Sequence, residues 1–416
     1  MKKQHYFITV ICLAVPALFW VQCKKDGNGK TSYRCSISDY FAFSTGTTTD
    51  IYCLVTREDG SIAATKHFSI NSIFSQTLEI EVENTDASEL LDITVFNNIS
   101  APVWAAHTWR KVPSGAVLSR WGLAPGVGGL GVYLNTNITG VPALDSTEVP
   151  GASQDFFVYP TGANVFLAGS ILSGNTGFLL RTRPKGQQEW LAHWQPHMSQ
   201  DPFTTPIPFS LFKPDYPKRK LTLPNASNRW TYLITGVAQD VGNGVFGFLA
   251  EKNTSMPGDP EISAVTFEDP AELYASKYSV TASDNDGNTY NFLLSPDNLT
   301  IPKVDFGVSA FTVVPVGDTY RLDISASGKF DVLIAQVFGT SLMQSWTIYG
   351  NPEDLSGYSL PTWPADWPIP DFKGSGQVNP TCEDYQAYSN FQEALMNVKQ
   401  ERFWQARAGW RQHIGF

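Results

Sequence analysis

The sequence predicts an all-β fold, made of tandem immunoglobulin-like or β-sandwich modules and followed by a C-terminal amphipathic helix. Three observations predict it: segments of alternating apolar and polar residues, turn signals between them, and an internal repeat. Alternation with a period of two is typical of a half-buried strand. Short strands at this spacing favour sandwiches over βαβ units. A chain of 416 residues is long enough for several such modules.

The internal repeat aligns residues 95–121 with residues 337–363 without a gap. In the same register Thr77–Val82 matches Thr319–Ile324, and both segments alternate. A weaker similarity links Phe41–Gly46 to Phe157–Gly162. Four tryptophans recur at equivalent positions, which suits core packing as well as ligand binding, and we interpret them as core residues: Trp104, Trp121, Trp346 and Trp363.

The repeat and the composition together give a predicted domain organisation. The mature chain would contain two or three sandwich modules, each of ordinary domain size. The predicted boundaries are a signal peptide at 1–22, a lipidated cysteine and tether at 23–32, modules at 33–123, 124–270 and 271–370, and a linker with the C-terminal helix at 371–416.

The C-terminal region differs from the modules. Pro361–Pro370 contains four prolines and two tryptophans, and a Gly-Ser-Gly spacer follows it. Thr381 then has the character of a helix N-cap, with Asp384 three residues later. The apolar residues Tyr388, Phe391, Leu395 and Val398 would form one stripe of a helix that extends to about Ala408. That stripe would dock on the last sandwich or recruit a partner protein.

The N-terminus has the pattern of an export signal. Lys2 and Lys3 precede an almost wholly apolar segment, Tyr6–Val21, which Pro16 interrupts. Its about 16 residues are too few for a membrane span of roughly 20 residues, and they are typical of a signal-peptide core. The alternative is an uncleaved signal anchor.

The residues after the apolar segment are Cys23-Lys24-Lys25-Asp26. This pattern resembles bacterial lipoproteins, whose cleaved N-terminal cysteine carries acyl chains, and in particular outer-membrane lipoproteins of the Bacteroidetes group. Trp20 and Gln22 stand where the usual motif has a branched aliphatic and a small residue. The resemblance implies lipidation at Cys23 and anchoring in the outer membrane, at the cell surface or on the periplasmic face.

Charge excludes one class of partner. Loss of residues 1–22 leaves 27 Lys and Arg against 39 Asp and Glu, a net charge of −12. A chain this acidic does not attract nucleic acid by electrostatics. The expected partners are the membrane, through the lipid anchor, and a polysaccharide or another envelope protein.

No motif of the sequence indicates catalysis, a metal or a cofactor, and we predict none of them. The Gly126–Gly131 segment has the spacing of a dinucleotide loop, but a strand continues after it where that motif needs a helix. Asp284–Asn288 has the oxygen-rich composition of a calcium loop, yet Asp-Gly favours a hairpin turn. His193 and His197 flank Pro196, which disfavours a helix that would present both to one metal.

Aromatic residues are the positive functional signal, at 13% of the chain. Exposed tryptophans offer flat apolar faces on which sugar rings pack. Three tryptophans lie in Pro- or Gln-rich segments without alternation and are the candidate ligand-binding residues: Trp190, Trp194 and Trp367.

The cysteines leave two alternatives. Cys35 and Cys53 flank a candidate hairpin turn at Ser44–Thr47 and would lie on adjacent strands. They would form a disulfide in an oxidising compartment or remain two buried thiols. Cys382 has no evident partner.

The leading functional hypothesis is therefore a non-catalytic exported lipoprotein that binds a ligand at the cell surface, with glycan as the first candidate. The alternative is a structural, adhesive or assembly component of the envelope that acts through protein–protein contacts. A glycan-active hydrolase is the third hypothesis. Exposed coplanar aromatic rings would favour glycan binding, whereas exposed edge strands with buried tryptophans would favour the structural role.

Overall fold

The computed structural model describes residues 32–37, 49–70, 77–100, 102–118, 131–149, 157–172, 177–196, 202–214, 216–223, 230–237, 246–252, 264–273, 275, 277–284, 288–301, 306–385, 389–397 and 406–412. The predicted signal peptide, Cys23, the turn at Ser44–Thr47 and Trp121 lie outside these residues. Within them the chain forms 26 strands and two short α-helices, which confirms the predicted all-β, sandwich-like fold. Neither helix of the described part is long and apolar enough to cross a membrane.

The N-terminal part is a two-layer sandwich. Strands β1, β4 and β7 form one small sheet, and their side chains share a buried cluster with β2, β5 and β6. We call it the N-terminal cluster; it includes Tyr33, Ile80, Ile93 and Trp109. The seven strands are β1 (Tyr33–Ile37), β2 (Thr49–Thr56), β3 (Ile62–Ile70), β4 (Leu78–Val82), β5 (Leu91–Ser100), β6 (Val103–Val112) and β7 (Val117–Leu118).

The middle of the chain contributes a second layer pair. We call its buried hydrophobic cluster the middle cluster; it includes Leu134, Leu167, Phe178 and Phe203. The strands are β8 (Gly131–Thr139), β9 (Leu144–Glu148), β10 (Phe157–Thr161), β11 (Asn164–Leu172), β12 (Gly177–Pro184), β13 (Leu191–Pro196), β14 (Ile207–Pro208), β15 (Lys218–Thr222), β16 (Trp230–Val237), β17 (Phe246–Lys252), β18 (Ala264–Glu268), β19 (Lys277–Asp284) and β20 (Asn288–Leu294). β19 and β20 pair antiparallel on either side of residues 285–287, as the Asp-Gly signal predicts.

The C-terminal part returns the chain to the N-terminal strands. Its elements are β21 (Gly307–Val316), β22 (Thr319–Ser327), β23 (Val332–Gly339), β24 (Met343–Gly350), α1 (Pro352–Leu355), β25 (Gly374–Tyr385), α2 (Phe391–Asn397) and β26 (Ala406–Gln412). Val332, Tyr349 and Phe391 are buried in the N-terminal cluster. That cluster is therefore built from both ends of the chain.

One sheet of 15 described strands runs through all three predicted modules. Its order is β13-β12-β17-β16-β19-β20-β26-β25-β23-β24-β6-β5-β2-β3, with β9 added beside β12. The large sheet continues across residue 270, where a module boundary was predicted, because β19, which follows this residue, pairs with β16, which precedes it. On one side of the sheet lies the largest hydrophobic cluster, the central cluster, which includes Leu54, Trp104, Ile234 and Trp346.

The two repeat segments fold alike and lie side by side. Each forms a hairpin, β5–β6 and β23–β24, and the two inner strands β6 and β24 pair in parallel. His107 Nδ1 lies 3.1 Å from the Tyr349 hydroxyl across this pair. Gly115 and Gly357, which occupy matching positions, both have positive φ, at 90° and 78°. Of the four tryptophans, Trp104 and Trp346 are buried and Trp363 is half-buried.

A buried ion pair connects the hairpin β5–β6 to the segment after β24. Arg110 donates to the Asp92 carboxylate, and the backbone N–H of Lys111 donates to the same carboxylate over 2.9 Å. The Arg110 guanidinium lies 3.9 Å from the centre of the Tyr358 ring and donates to the Asp354 carbonyl oxygen over 3.3 Å. Burial raises the pKa of Asp92, and the Arg110 charge opposes that rise.

The predicted C-terminal helix is wrong in extent. Thr381 and Asp384 lie in β25, which pairs with β23 and β26, so the region called a linker and helix contains two strands of the large sheet. The helix α2 spans seven residues. It begins after Asn390, whose side chain accepts from the Glu393 N–H over 2.9 Å. Phe391 and Leu395 of the predicted stripe are buried, but against the N-terminal cluster and not against the last sandwich alone.

Candidate functional site

Strand β3 forms one end of the large sheet. It pairs with β2 from Thr49↔Ile70 to Thr56↔Ile62, and no strand among the described residues pairs with its other side. Over its nine residues it contains neither Pro nor Gly. Natural proteins usually protect such edges with prolines, bulges or clustered charges. Here only Lys66 carries a permanent charge, and the register irregularity with β2 falls near the start of the strand, at Val55/Thr56, so the backbone groups from Ala64 onward are open to a further strand.

The two faces of β3 have different surroundings. Ala64 and Phe68 pack against the N-terminal cluster and anchor the strand. On the opposite face Thr65 and His67 are exposed. The residue Ile62, where the strand begins, is also 48% exposed. β3 is therefore held by its inner side chains, while its outer face and its free edge remain accessible.

His67 begins a chain of aromatic contacts that leads away from the edge. Its ring stacks on Tyr52 of β2 at 4.4 Å, and its Nε2 lies 2.8 Å from Asp50 Oδ1. Tyr52 in turn contacts Trp104 at 5.8 Å and Trp367 at 5.1 Å between ring centroids. Burial, with the nearby Asp50 carboxylate, raises the pKa of Tyr52. The surface beside the edge is thus aromatic and mostly uncharged.

Trp367 belongs to the wall of an open groove of about 550 Å³. The Pro-rich segment 361–370 forms one wall, and the turn between β21 and β22 forms the other. Trp346 and Phe372 form the apolar floor, with ring centroids 5.5 Å apart. Asp318, Asp371 and Lys373 supply polar groups to its lining.

Hydrogen bonds fix the tryptophans of this groove. The indole N–H of Trp346 donates to Thr108 Oγ1 over 2.8 Å, and that of Trp363 donates to the Ile369 carbonyl oxygen over 3.4 Å. Phe96 lies between them and contacts Trp363 at 5.0 Å. The half-buried ring of Trp363 is therefore held in place in the groove wall and needs no rearrangement to receive a ligand.

The sequence-predicted ligand residues do not meet in one place. Trp367 is half-buried in the groove wall, as described above. Trp194 is buried in the central cluster, only 4% exposed, which contradicts its prediction as an exposed residue. It lies on the same face of β13 as Ala192, and both side chains pack into the central cluster. Trp190 is half-buried, with the Arg183 guanidinium 5.3 Å from its ring centre. β13 and β3 lie at opposite ends of the sheet.

The predicted placement of the two cysteines on adjacent strands is wrong, whereas the alternative of two buried thiols agrees with the structure. Cys35 lies on β1 and Cys53 on β2, and these strands belong to different sheets instead of forming a hairpin. Both are free thiols in the N-terminal cluster, and Cys382 is a third buried thiol. Burial raises the pKa of Cys35 to about 12 and that of Cys53 well above its ordinary value. Such thiols are unreactive in the folded protein.

Sequence reasoning missed three aromatic residues. Tyr52 and His67 stack beside the edge of β3, and Tyr320 lines the groove. Tyr52 and His67 pair across β2 and β3, at the same register position. The alternation of β2 gives no sign of which face meets solvent, because both of its faces meet apolar neighbours. The Pro-rich segment 361–370 was the available signal, since its two tryptophans mark the groove wall.

Comparison with known proteins gives little. No family model and no curated protein matches the chain. One solved structure, a fimbrial assembly protein from Parabacteroides distasonis ATCC 8503, aligns over 72% of this chain and 98% of its own at 9% identity, with a TM-score of 0.14. Because this similarity is too low to carry an argument, we base the functional proposal on the residues of this chain.

Proposed function

We propose that this chain is a non-catalytic structural or adhesive component of the cell envelope that acts through protein–protein contacts. Its partner would be an extended segment of another polypeptide, which adds to β3 as a further strand of the large sheet. The observation that carries this proposal is the nine-residue edge of β3, unpaired on its outer side in the described part of the chain. The expected lipid anchor at Cys23 would place this edge in the envelope.

Strand addition suits what surrounds the edge. In this mode of recognition backbone hydrogen bonds give affinity, and alternate side chains of the added strand give specificity. The outward-facing Thr65 and His67, with Tyr52 behind them, would contact those side chains. The burial of Trp104, Trp194 and Trp346 also agrees with a structural role, since these rings stabilise the sheet and are not offered to a ligand.

Proline substitution tests the edge, because successive amides of an edge strand point alternately toward and away from its neighbour. Of Thr65→Pro and Lys66→Pro, one removes an N–H from the β2–β3 ladder and should cost about 1–3 kcal/mol of stability. The other removes an N–H only from the free edge. We expect it to leave the melting temperature unchanged and to abolish partner binding, since an edge proline blocks the incoming ladder.

Partner binding would be measured with a photo-reactive phenylalanine at position 62 in the native cell, followed by mass spectrometry of the adduct. A matched control places the same probe at Leu342, which is exposed to a similar degree, 49%. We expect an adduct with one extended partner segment from position 62 only, lost in the free-edge proline variant. Equal adducts from both positions, or an adduct that survives the proline, would contradict the proposal.

A second candidate function, carbohydrate binding, is favoured by the groove beside Trp367. Its half-buried rings, Trp363 and Trp367, suit the C–H faces of a sugar ring, and Asp318 and Asp371 would accept hydrogen bonds from sugar hydroxyls. If sugar binds in this groove, Trp367→Ala would weaken retention on native gels that contain polysaccharide on the order of tenfold. The control Trp190→Ala should leave retention unchanged, since that ring lies far along the sheet. Equal retention of both variants would exclude the groove as a sugar site.

A further inference from the structure

A third surface, distant from both β3 and the groove, is the outer face of the sheet formed by β10, β11, β8 and β14. Its register separates the side chains of these strands into two sets. The inner set, which includes Leu134, Ile138, Val165 and Leu167, is buried in the middle cluster. The side chains between them face the opposite way, and the described ones are exposed or half-exposed. This face is therefore a surface in its own right.

The outer face combines aromatic rings with small polar groups. Phe157 and Tyr159 are each 51% exposed, and their rings are stacked at 5.9 Å with an angle of 14° between their planes. Tyr133, 46% exposed, lies on the same face of β8. Two exposed or half-exposed amides, Asn135 and Asn137, occupy the adjoining positions of that strand.

Cross-strand register arranges these groups in rows. Tyr159 pairs with Phe166, and Phe166 pairs with Asn137. In the next row Phe157 pairs with Ala168, which pairs with Asn135. Neighbouring strands lie about 4.8 Å apart, so each row carries an aromatic ring about 10 Å from an amide. The remaining described outer positions of β8, β10 and β11 are occupied by three hydroxyl residues and one amide: Thr139, Thr161, Ser170 and Asn164.

No outer position of β8, β10 or β11 carries a charge, although the whole chain has a net charge of −10. A face that bound an acidic or basic partner would carry complementary charge. Exposed aromatic rings with amides and hydroxyls nearby fit a ligand that offers C–H faces and neutral hydroxyl groups. A neutral sugar chain has both. The exposed groups are spread over three strands, so the face suits an extended chain and not a single sugar enclosed in a pocket.

The edge of this sheet does not offer the alternative of strand addition. The two edge strands, β10 and β14, each contain a proline, Pro160 and Pro208, which has no N–H to donate. β10 has only five residues and β14 only two. The ligand-binding element is therefore the side-chain face. Its backbone edge is protected, unlike that of β3.

We propose that the outer face of β8, β10 and β11 is a binding site for a neutral polysaccharide, with Phe157 and Tyr159 as the stacking platform. Asn135 and Asn137 bind the hydroxyl groups of the sugar units beyond the rings. This site is independent of the strand-addition edge and of the groove at Trp367. It gives an envelope component a surface that adheres to glycan.

The test is native-gel retention of the full chain on four neutral polysaccharides, dextran, xyloglucan, galactomannan and mixed-linkage β-glucan, with anionic polygalacturonate for comparison. We expect retention on at least one neutral polymer and none on polygalacturonate. Phe157→Ala/Tyr159→Ala should weaken that retention by at least about tenfold. Because both rings are exposed, its melting temperature should equal that of the unmodified chain.

Two further variants assign the site. Tyr159→Phe keeps the ring and should retain the affinity within about twofold, whereas Trp367→Ala tests the groove. Retention lost in the double alanine variant and kept in Trp367→Ala supports the outer face. Retention lost only in Trp367→Ala, retention only on polygalacturonate, or no retention on any polymer would overturn the proposal.

Discussion

We expect removal of the Trp109 side chain to destabilise the protein more than any other single truncation of an aromatic residue. Trp109 is fully buried in the N-terminal cluster, with its ring stacked on Tyr349 at 5.3 Å and 12°. Tyr349 lies on β24, so this contact joins the two ends of the chain. Trp→Ala at a buried site costs about 3–5 kcal/mol, because it removes apolar contact and leaves a cavity. That is a large part of a typical stability of about 5–15 kcal/mol.

The measurement is the midpoint of urea unfolding followed by circular dichroism. Trp190→Ala is the matched control, since the same side chain is removed from a half-buried position, where the contact with Arg183 contributes on the order of 0.5–1 kcal/mol. Equal midpoints for the two variants would show that the N-terminal cluster, which both ends of the chain build, contributes less to stability than its burial implies.

The second large effect is expected at the ion pair of Asp92 and Arg110. Both side chains are nearly inaccessible, at 3% and 8% exposure. Asp92→Leu leaves the guanidinium buried without its carboxylate and should cost about 3–5 kcal/mol. Arg110→Met should cost a similar amount, because the Asp92 carboxylate then remains buried and has only the Lys111 N–H as a described donor.

A double-mutant cycle separates the pair from its parts. Replacement of a buried ion pair by apolar residues of similar volume is often neutral, because the cost of burying two charges disappears with them. We therefore expect Asp92→Leu/Arg110→Met to be more stable than either single variant in urea unfolding. A double variant whose loss equals the sum of the single losses would refute coupling between the two groups.

Local patterns in the sequence were enough to predict strands but not their partners. Thr77–Val82 and Thr319–Ile324 alternate, and the structure places β4 and β22 there. The segment after Thr381 also carried an apolar stripe with helical spacing. The start of that segment lies in β25 because Cys382 is buried between β23 and β26, a pairing that depends on residues distant in sequence, whereas Phe391 and Leu395 of the stripe lie in α2. Pairing of that kind leaves no mark in the segment itself.

The candidate sites were predictable only where the local sequence is unusual. Trp367 was identified because the Pro-rich segment that contains it is unusual in composition. Trp194 was predicted to be exposed, but β12 and the sheet beyond it bury this ring. In the sequence Phe157 and Tyr159 stand out only as part of a weak repeat. They are exposed because they lie on the outer face of their sheet. Alternation of apolar and polar residues alone does not show which face of a sheet is covered.

The parallel pairing of β6 with β24 has a consequence for the order in which the chain folds. His107 and Tyr349, which meet across this pair, are 242 residues apart. At a synthesis rate of about 5–20 residues per second, the N-terminal half would wait roughly 12 to 48 s for its partner strand. During that time Trp109 and its neighbours lack their C-terminal contacts. The nascent chain is thus a substrate for chaperones that hold unfolded protein, and a chain that ends before β23 leaves its first sandwich without a closing strand.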